Sequence, residues 1–463
     1  MLGKTSVILL AITLVLSGTA LTGFSNAQTN VYNEITTDTT WNSAGSPYVF
    51  TAPVTVNENV TLTIEPGVTI DMASFSLYVK GVLNARCNSS NPIIFASEST
   101  TLSPSTTAKI FFEPSSADYD ANDGSGCIIE NAEINAAISI NDSAPMIAGC
   151  QIKGGIIITQ AAPTIIGNNI SEGGAVYAIN VEKQSAPVIS LNTITGKAIG
   201  IGFNLPDNGY ASNLYDAIVE NNTIIDCLTG IGVGSSEGTI LLNGNLIFGS
   251  DVAIQVGNAS CAVTIQHNLI MNNTLGIDVG DQVAIQENTI YNNTVGIFYH
   301  TTEQSLISYN NIMNNTQYNF EASAISPSYE IEAVYNFWGT QDIPTINQTI
   351  YDKNNNDSLG EVKYLPALDS PYVGAPVIPG VNMNPTTTPT PTKTPIQTNP
   401  AQTNKPTQTA TSTPTATPIT QGSFNTLEIG IIILLSIVIA VTLIVAFKKG
   451  KKCNTKTETK TTQ

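Results

Sequence analysis

A repeat close to twenty-two residues long constrains this chain more than any single motif. An isoleucine recurs two positions after a polar or small residue at Ile134, Ile152, Ile170, Ile194, Ile224, Ile247, Ile270, Ile290 and Ile312, with intervals of 18, 18, 24, 30, 23, 23, 20 and 22. From Ile170 onward the residue two before is always Asn. A second apolar step begins at a fixed offset: Ile231, Ile254, Ile277 and Ile297 each stand seven residues after an anchor isoleucine. A third short run, as in 263–265, 284–286 and 306–308, precedes the next Asn. Three short apolar runs per period, separated by turn residues, describe one coil of a solenoid. Branched side chains suit strands stacked about 4.8 Å apart, so the expected fold is all-β, a single-stranded parallel β-helix of roughly a dozen coils. The turn Asn residues, such as Asn222 and Asn268, are expected to adopt the left-handed conformation and to stack as a side-chain ladder. A leucine-rich horseshoe would need an LxxLxLxxN pattern, which is missing.

The two ends differ in character from the repeats. Residues 1–27 place Lys4 before an apolar run and finish at Ser25-Asn26-Ala27, which suits a cleaved signal peptide. Residues 28–56 read as a lead-in and N-terminal cap, 57–334 as the β-helix and 335–378 as a C-terminal cap. In the segment 379–428 threonine and proline crowd together. Such a tract cannot bury enough surface to offset its ordering entropy and suits an extended stalk. Residues 429–447, IGIIILLSIVIAVTLIVAF, are long enough to cross a bilayer as a helix. Lys448, Lys449, Lys451 and Lys452 then open a cytoplasmic tail, 448–463, by the positive-inside rule. The expected protein is therefore single-pass in the cell membrane with its N-terminal domain extracellular.

Charge narrows the partners. The whole chain carries a formal charge of -18, and 33 acidic against 8 basic residues fall between Gln28 and Ile378. Such a surface repels phosphate backbones, so nucleic acid is excluded as a partner. Cell-envelope glycans, surface proteins and lateral copies of the same chain are the expected partners, with the bilayer engaged through 429–447. Five cysteines precede the stalk, at most four of which can pair internally.

Candidate sites come from local chemistry. Eleven N-glycosylation sequons begin at Asn59, Asn88, Asn141, Asn169, Asn221, Asn258, Asn272, Asn292, Asn314, Asn347 and Asn356, several in one phase of the repeat. Asp118, Asp120, Asn122 and Asp123 concentrate oxygen ligands in a Gly-containing loop that would suit Ca2+. Its glycine stands at position seven rather than six of an EF-type loop, and Ile129 occupies the place of the bidentate Glu. Asp251, Asp278 and Asp281 are the catalytic candidates if two carboxylates face a scissile glycosidic bond. Glu220, Asp226 and Glu287 lie with them on adjacent coils. Against a lyase, no Lys or Arg occurs between Lys197 and Lys353.

The opening coils, TLTIEPGVTI at 61–70 with GVLNA at 81–85 and NPIIF at 91–95, resemble those of right-handed parallel β-helix repeat proteins of archaeal and bacterial surfaces. Within that group they resemble the family named for a periplasmic copper-binding β-helix domain. The Asn-Asn-Thr-Ile and Gly-Ile steps and the YNFWG run at 335–339 are similar to that family's repeat and terminal module. The resemblance spans about residues 45–375 and implies architecture rather than activity, because the fold carries lyases, hydrolases, epimerases and scaffolds. It also implies copper, yet His267 and His300 form no recognisable ligand set. The sequence thus favours a surface structural, adhesion or carbohydrate-binding protein over its alternative, a polysaccharide lyase or glycoside hydrolase.

Overall fold

The computed structural model describes residues 28–97, 108–171, 173–204, 215–234, 238–257, 261–323 and 326–383. The expected signal peptide, nearly all of the expected stalk, the 429–447 segment, the expected tail and Asn258 lie outside the described residues. No helix among the described residues is long and apolar enough to cross a membrane.

Every strand pairing between the named strands is parallel, and the strands form three long sheets of 13, 13 and 12 strands plus one two-stranded pair. One coil illustrates the winding. Ala262–Gln266 lies in the third sheet, Leu269–Met271 in the first and Leu275–Gly280 in the second, before Val283–Gln286 returns to the third. The anchor isoleucines are register partners from coil to coil, Ile224 on Ile247, Ile247 on Ile270 and Ile270 on Ile290. All nine, from Ile134 to Ile312, are at most 1% exposed. The second set, Ile231, Ile254, Ile277 and Ile297, forms a parallel column in the second sheet. The Gly-Ile step has a steric cause: a Cβ on Gly230, Gly276 or Gly296 would meet a carbonyl oxygen of the next coil at 2.4–2.6 Å.

Two expectations about the turns and ends need correction. The left-handed residue at the corner between the third and first sheets is not the repeated Asn but the residue before it, as at Asn221, His267 and Glu287. The Asn itself is buried and forms the ladder. In Asn168, Asn192, Asn222, Asn245, Asn268, Asn288 and Asn310 the backbone N–H and the Nδ2 both donate to the Oδ1 of the Asn one coil on, at 2.8–3.0 Å, ending on Asn336. A shorter ladder, Asn273, Asn293, Asn315 and Asn319, occupies the next corner. The αL residue lets the chain turn, and the following amide satisfies polar groups that a buried corner would otherwise strand.

Thr61–Ile64 and Thr69–Asp71 occupy the third and first sheets, so the Glu65-Pro66-Gly67 turn between them is a coil corner rather than a hairpin. The 28–56 lead-in already belongs to the solenoid, since Thr29–Val31 pairs with Tyr48–Phe50 and Val54–Val56 with Leu77–Val79. At the far end Trp338 is buried, and Ile350–Tyr351 still extends the second sheet. Beyond it, residues 368–383 turn back along the outside of the first sheet.

Cys87, Cys127, Cys150, Cys227 and Cys261 are all free thiols, four of them buried. Burial pushes the Cys127 thiol up to about 11 and that of Cys150 up to about 12, from an ordinary 9.0. Both therefore stay protonated and inert in the fold. Because the folded values lie above the unfolded one, their stabilising effect is complete below pH 9 and is lost as pH climbs toward 11–12. At pH 8 iodoacetamide should leave both unmodified in the native protein and label both in denaturant, as read by peptide mass spectrometry. Rapid labelling of the native protein would contradict this packing.

Candidate functional site

At the corner between the third and first sheets one αL residue precedes each ladder Asn. From Asn131 onward the column runs Asn131, Gly149, Gly167, Leu191, Asn221, Gly244, His267, Glu287, Tyr309 and Tyr335. Gly and Asn reach this conformation readily, whereas other side chains pay a steric cost there. The last four coils nevertheless place His267 (φ 54°), Glu287 (57°), Tyr309 (61°) and Tyr335 (57°) in it. Backbone strain repeated over four coils holds four chemically capable side chains in one line on the surface.

These side chains touch one another. His267 Nε2 lies 2.7 Å from Glu287 Oε2. The rings of Tyr309 and Tyr335 stack at 5.8 Å with planes 10° apart. Tyr372, from the segment folded back over the first sheet, adds its ring 5.2 Å from Tyr309 and donates its hydroxyl to Glu287 Oε1 at 3.3 Å. The Glu287 carboxylate raises the Tyr372 phenol above its ordinary value, which keeps it a hydrogen-bond donor. Tyr335 remains 43% exposed, so the array faces solvent. Chemically it offers aromatic surface beside a carboxylate, an imidazole and phenolic hydroxyls, a set that recognises a polar ligand with apolar faces.

The catalytic candidates do not converge. Asp278 points outward from the second sheet yet is only 8% exposed, with Oδ2 accepting from Gln255 Nε2 at 2.9 Å and Oδ1 2.8 Å from His300 Nε2. Asp281 lies past the next turn, in a cleft of about 680 Å³ on the third sheet that Glu303, Leu306 and Glu332 also line. Asp251 is an exposed corner residue in the same phase as Thr274 and Thr294. Two coils along the Asp278 column stands Glu321, whose carboxyl is raised by burial. Of the other acids, Glu287 joins the corner array, whereas Glu220 ends a third-sheet strand and Asp226 takes an αL corner of its own.

In the acidic loop the ligand oxygens bond to the loop's own turns and to a neighbour. Asp118 Oδ1 accepts from Ala144 N at 2.7 Å, Asp120 Oδ1 from Asn122 N at 2.8 Å and Asp123 Oδ1 from Ser125 N at 2.8 Å. Among the described residues no three His, Cys, Asp or Glu side chains group so as to hold a metal ion. The donors do not fit copper either: each histidine is committed to its own carboxylate on a different face, and the buried thiols are protonated.

The sequons fall into distinct settings. Asn272, Asn292 and Asn314 are αL residues on successive coils at the corner between the first and second sheets, and Asn292 Nδ2 donates to Asn272 Oδ1 at 2.6 Å. Asn221 holds the other corner, and Asn59 is an exposed αL residue. Asn88 and Asn356 accept from their own turns, Asn141 and Asn169 lie within strands, and Asn347 lies in the short helix Ile343–Gln348 and accepts from Tyr364.

From the sequence Glu287 is one acid among several, and His267 is half of a histidine pair that forms no recognisable ligand set. The signal lay one position upstream of each ladder Asn, where the glycines, asparagines and single leucine of earlier coils give way to His, Glu, Tyr and Tyr. Nothing local could have placed Tyr372 beside them.

Comparison with known proteins agrees with this architecture. A family model described as a right handed beta helix region matches residues 93–270, and one described as periplasmic copper-binding protein (NosD) matches 207–352. Among solved structures, the periplasmic alginate epimerase AlgG is 13% identical with a TM-score of 0.38, over 71% of this chain and 84% of that one. The A-module of the Azotobacter vinelandii mannuronan C-5 epimerase AlgE4 is 11% identical with a TM-score of 0.31, over 74% and 91%. No curated protein matches. Overlapping family matches, three continuous parallel sheets and an unbroken isoleucine column identify the chain as a right-handed parallel β-helix protein related to the NosD family.

Proposed function

We propose that this protein is a membrane-anchored cell-surface rod that binds glycans through the corner array His267, Glu287, Tyr309, Tyr335 and Tyr372. The observation that carries the reading is the replacement of permissive corner residues by strained His, Glu and Tyr on four successive coils. Aromatic rings offer apolar surface to the C–H face of a sugar, while Glu287, His267 and the phenols meet its hydroxyls. Repetition along the axis suits a polymer, because weak contacts on neighbouring coils act together. The Thr/Pro-rich tract, the 429–447 segment and the sequons are the features that support display at the surface. Adhesion to envelope glycans or to neighbouring cells follows from that placement.

A second reading has its own observation. Asp278 and Glu321 occupy one outward column two coils apart, roughly 10 Å between backbones at about 4.8 Å per coil. The two carboxyl groups would have to lean toward each other across Phe298 to reach the separation of an inverting pair, with the raised Glu321 as acid and the hydrogen-bonded Asp278 as base.

One experiment addresses both. The purified protein is applied to a panel of neutral, amino and uronic-acid oligosaccharides, with binding and product release read together. Binding without products is the expected result, and Tyr309→Ala should weaken it about 10–30-fold, as for an interface residue worth about 1.4–2 kcal/mol. Products lost in Glu321→Gln would support the hydrolase instead. A blank panel, or binding indifferent to Tyr309, would overturn the corner site.

A further inference from the structure

We propose that residues 368–383 form a clasp that completes the corner site, and that tension from the chain beyond Met383 opens it. The proposal rests on the glycan-site reading for its functional consequence, though not for its mechanics.

The segment runs across the coils of the first sheet in reverse order. Leu368 N donates to Asn336 O at 2.9 Å. One coil back, Tyr372 N donates to Asn311 Oδ1 at 2.7 Å, and Asn311 Nδ2 returns a bond to Tyr372 O at 3.2 Å. A further coil back, Thr289 Oγ1 donates to Pro376 O at 2.5 Å. Ile378 and Met383, 6% and 8% exposed, then pack with Met313 and Phe337 beside Leu269 and Tyr291. Asn311 and Thr289 are register partners on successive coils, so residues 368–376 climb the rod toward its N-terminal end, and Ile378 and Met383 then share one apolar cluster with Leu368 at the start of the segment.

This geometry decides how load is shared. The sequence continues from Met383 into the Thr/Pro-rich tract and the apolar segment. A pull transmitted from there reaches the apolar anchors Met383 and Ile378 first, then Pro376, then Tyr372. The contacts are therefore strained one after another, as in peeling, rather than together, as in shear. Val373 and Val377, 95% and 75% exposed, show that the clasp is held only at intervals. The solenoid strands beneath are tied by continuous parallel ladders and do not depend on it. Peeling past Tyr372 removes one ring and the phenol donor to Glu287, so the corner array loses a member while the rod stays folded.

Force spectroscopy on the full chain, held by handles at its two termini, tests the mechanics. Sixteen released residues span roughly 55 Å when extended, and the coils they fold back over, at about 4.8 Å each, add to this because the clasp runs toward the N-terminal handle, so a step of about 60–70 Å should precede any rupture of the rod. In the variant Ile378→Asp/Met383→Asp that step should disappear while the rod's own transitions remain. Absence of the early step in the wild type, or its persistence in the variant, overturns the clasp. The same variant applied to the oligosaccharide panel should lose binding to whichever members the wild type retains, and unchanged binding would overturn the link to the site. A wild-type blank on the panel would remove the glycan reading and leave the mechanical result to stand or fall alone.

Discussion

Ile270→Asp should yield no cooperatively folded rod. Ile270 is wholly buried between Ile247 and Ile290 in the central column of the first sheet. Truncation alone at such a site costs about 2–5 kcal/mol. A carboxylate there also lacks any partner, and burying an unpaired charge costs several kcal/mol more. Solenoid stability is a sum of coil and nearest-neighbour terms, so one disrupted coil uncouples those on both sides. The total approaches the stability of an ordinary domain. Far-UV circular dichroism and thermal melting should show lost or split transitions, whereas Ile270→Val should cost only about 0.5–1.5 kcal/mol. A single transition at the wild-type midpoint in the Asp variant would mean that Ile270 is not interior.

Asn245→Ala should cost about 3–5 kcal/mol, far more than its loss of hydrophobic contact would suggest. Asn245 Oδ1 accepts from both the backbone N–H and the Nδ2 of Asn222 at 3.0 Å, while its own Nδ2 donates to Val219 O and to Asn268 Oδ1. All three asparagines are at most 1% exposed, so no water replaces the missing amide. Each buried group left without a partner costs about 1–3 kcal/mol. Asn221→Gly, one residue from the ladder, keeps the αL corner and removes only an exposed side chain, so it should change stability by less than about 0.5 kcal/mol. Denaturant midpoints of the two variants should therefore separate widely. Equal midpoints would show that the ladder contributes nothing beyond the corner itself.

Legibility followed the period of each signal. Inward isoleucines repeat at nearly constant intervals and answer to one physical demand, so the solenoid, its three strands per coil and the Asn ladder could be read directly. The αL position could not be assigned between two adjacent polar residues such as Asn221 and Asn222, because both tolerate it; only burial separates them. The lead-in looked distinct because its apolar runs are out of phase with the later coils, yet Thr29–Val31 and Tyr48–Phe50 meet the same backbone ladder. The aromatic corner stayed hidden for a different reason. Tyr309 and Tyr335 were neighbours in the repeat, but Tyr372 reaches them from a segment with no periodicity, and its placement depends on tertiary packing alone. Asp278, by contrast, faces outward by simple strand alternation, between the inward Ile277 and Val279.

The central claim is that coils stack one upon another in the register described, and a pair of spin labels measures it directly. Thr164 and Leu306 are outward residues on one third-sheet column, linked through Val188, Ile218, Leu241, Thr264 and Ala284. Six coil steps at about 4.8 Å put their backbones roughly 29 Å apart. Labels on Thr164→Cys and Leu306→Cys, introduced with Cys87 and Cys453 replaced by Ser while the buried native thiols stay unreactive, should give one narrow electron paramagnetic resonance distance near that value. The intermediate pair Thr164→Cys and Leu241→Cys should give about half of it. A broad distribution, or distances that fail to grow with the number of coils, would contradict the stacked rod.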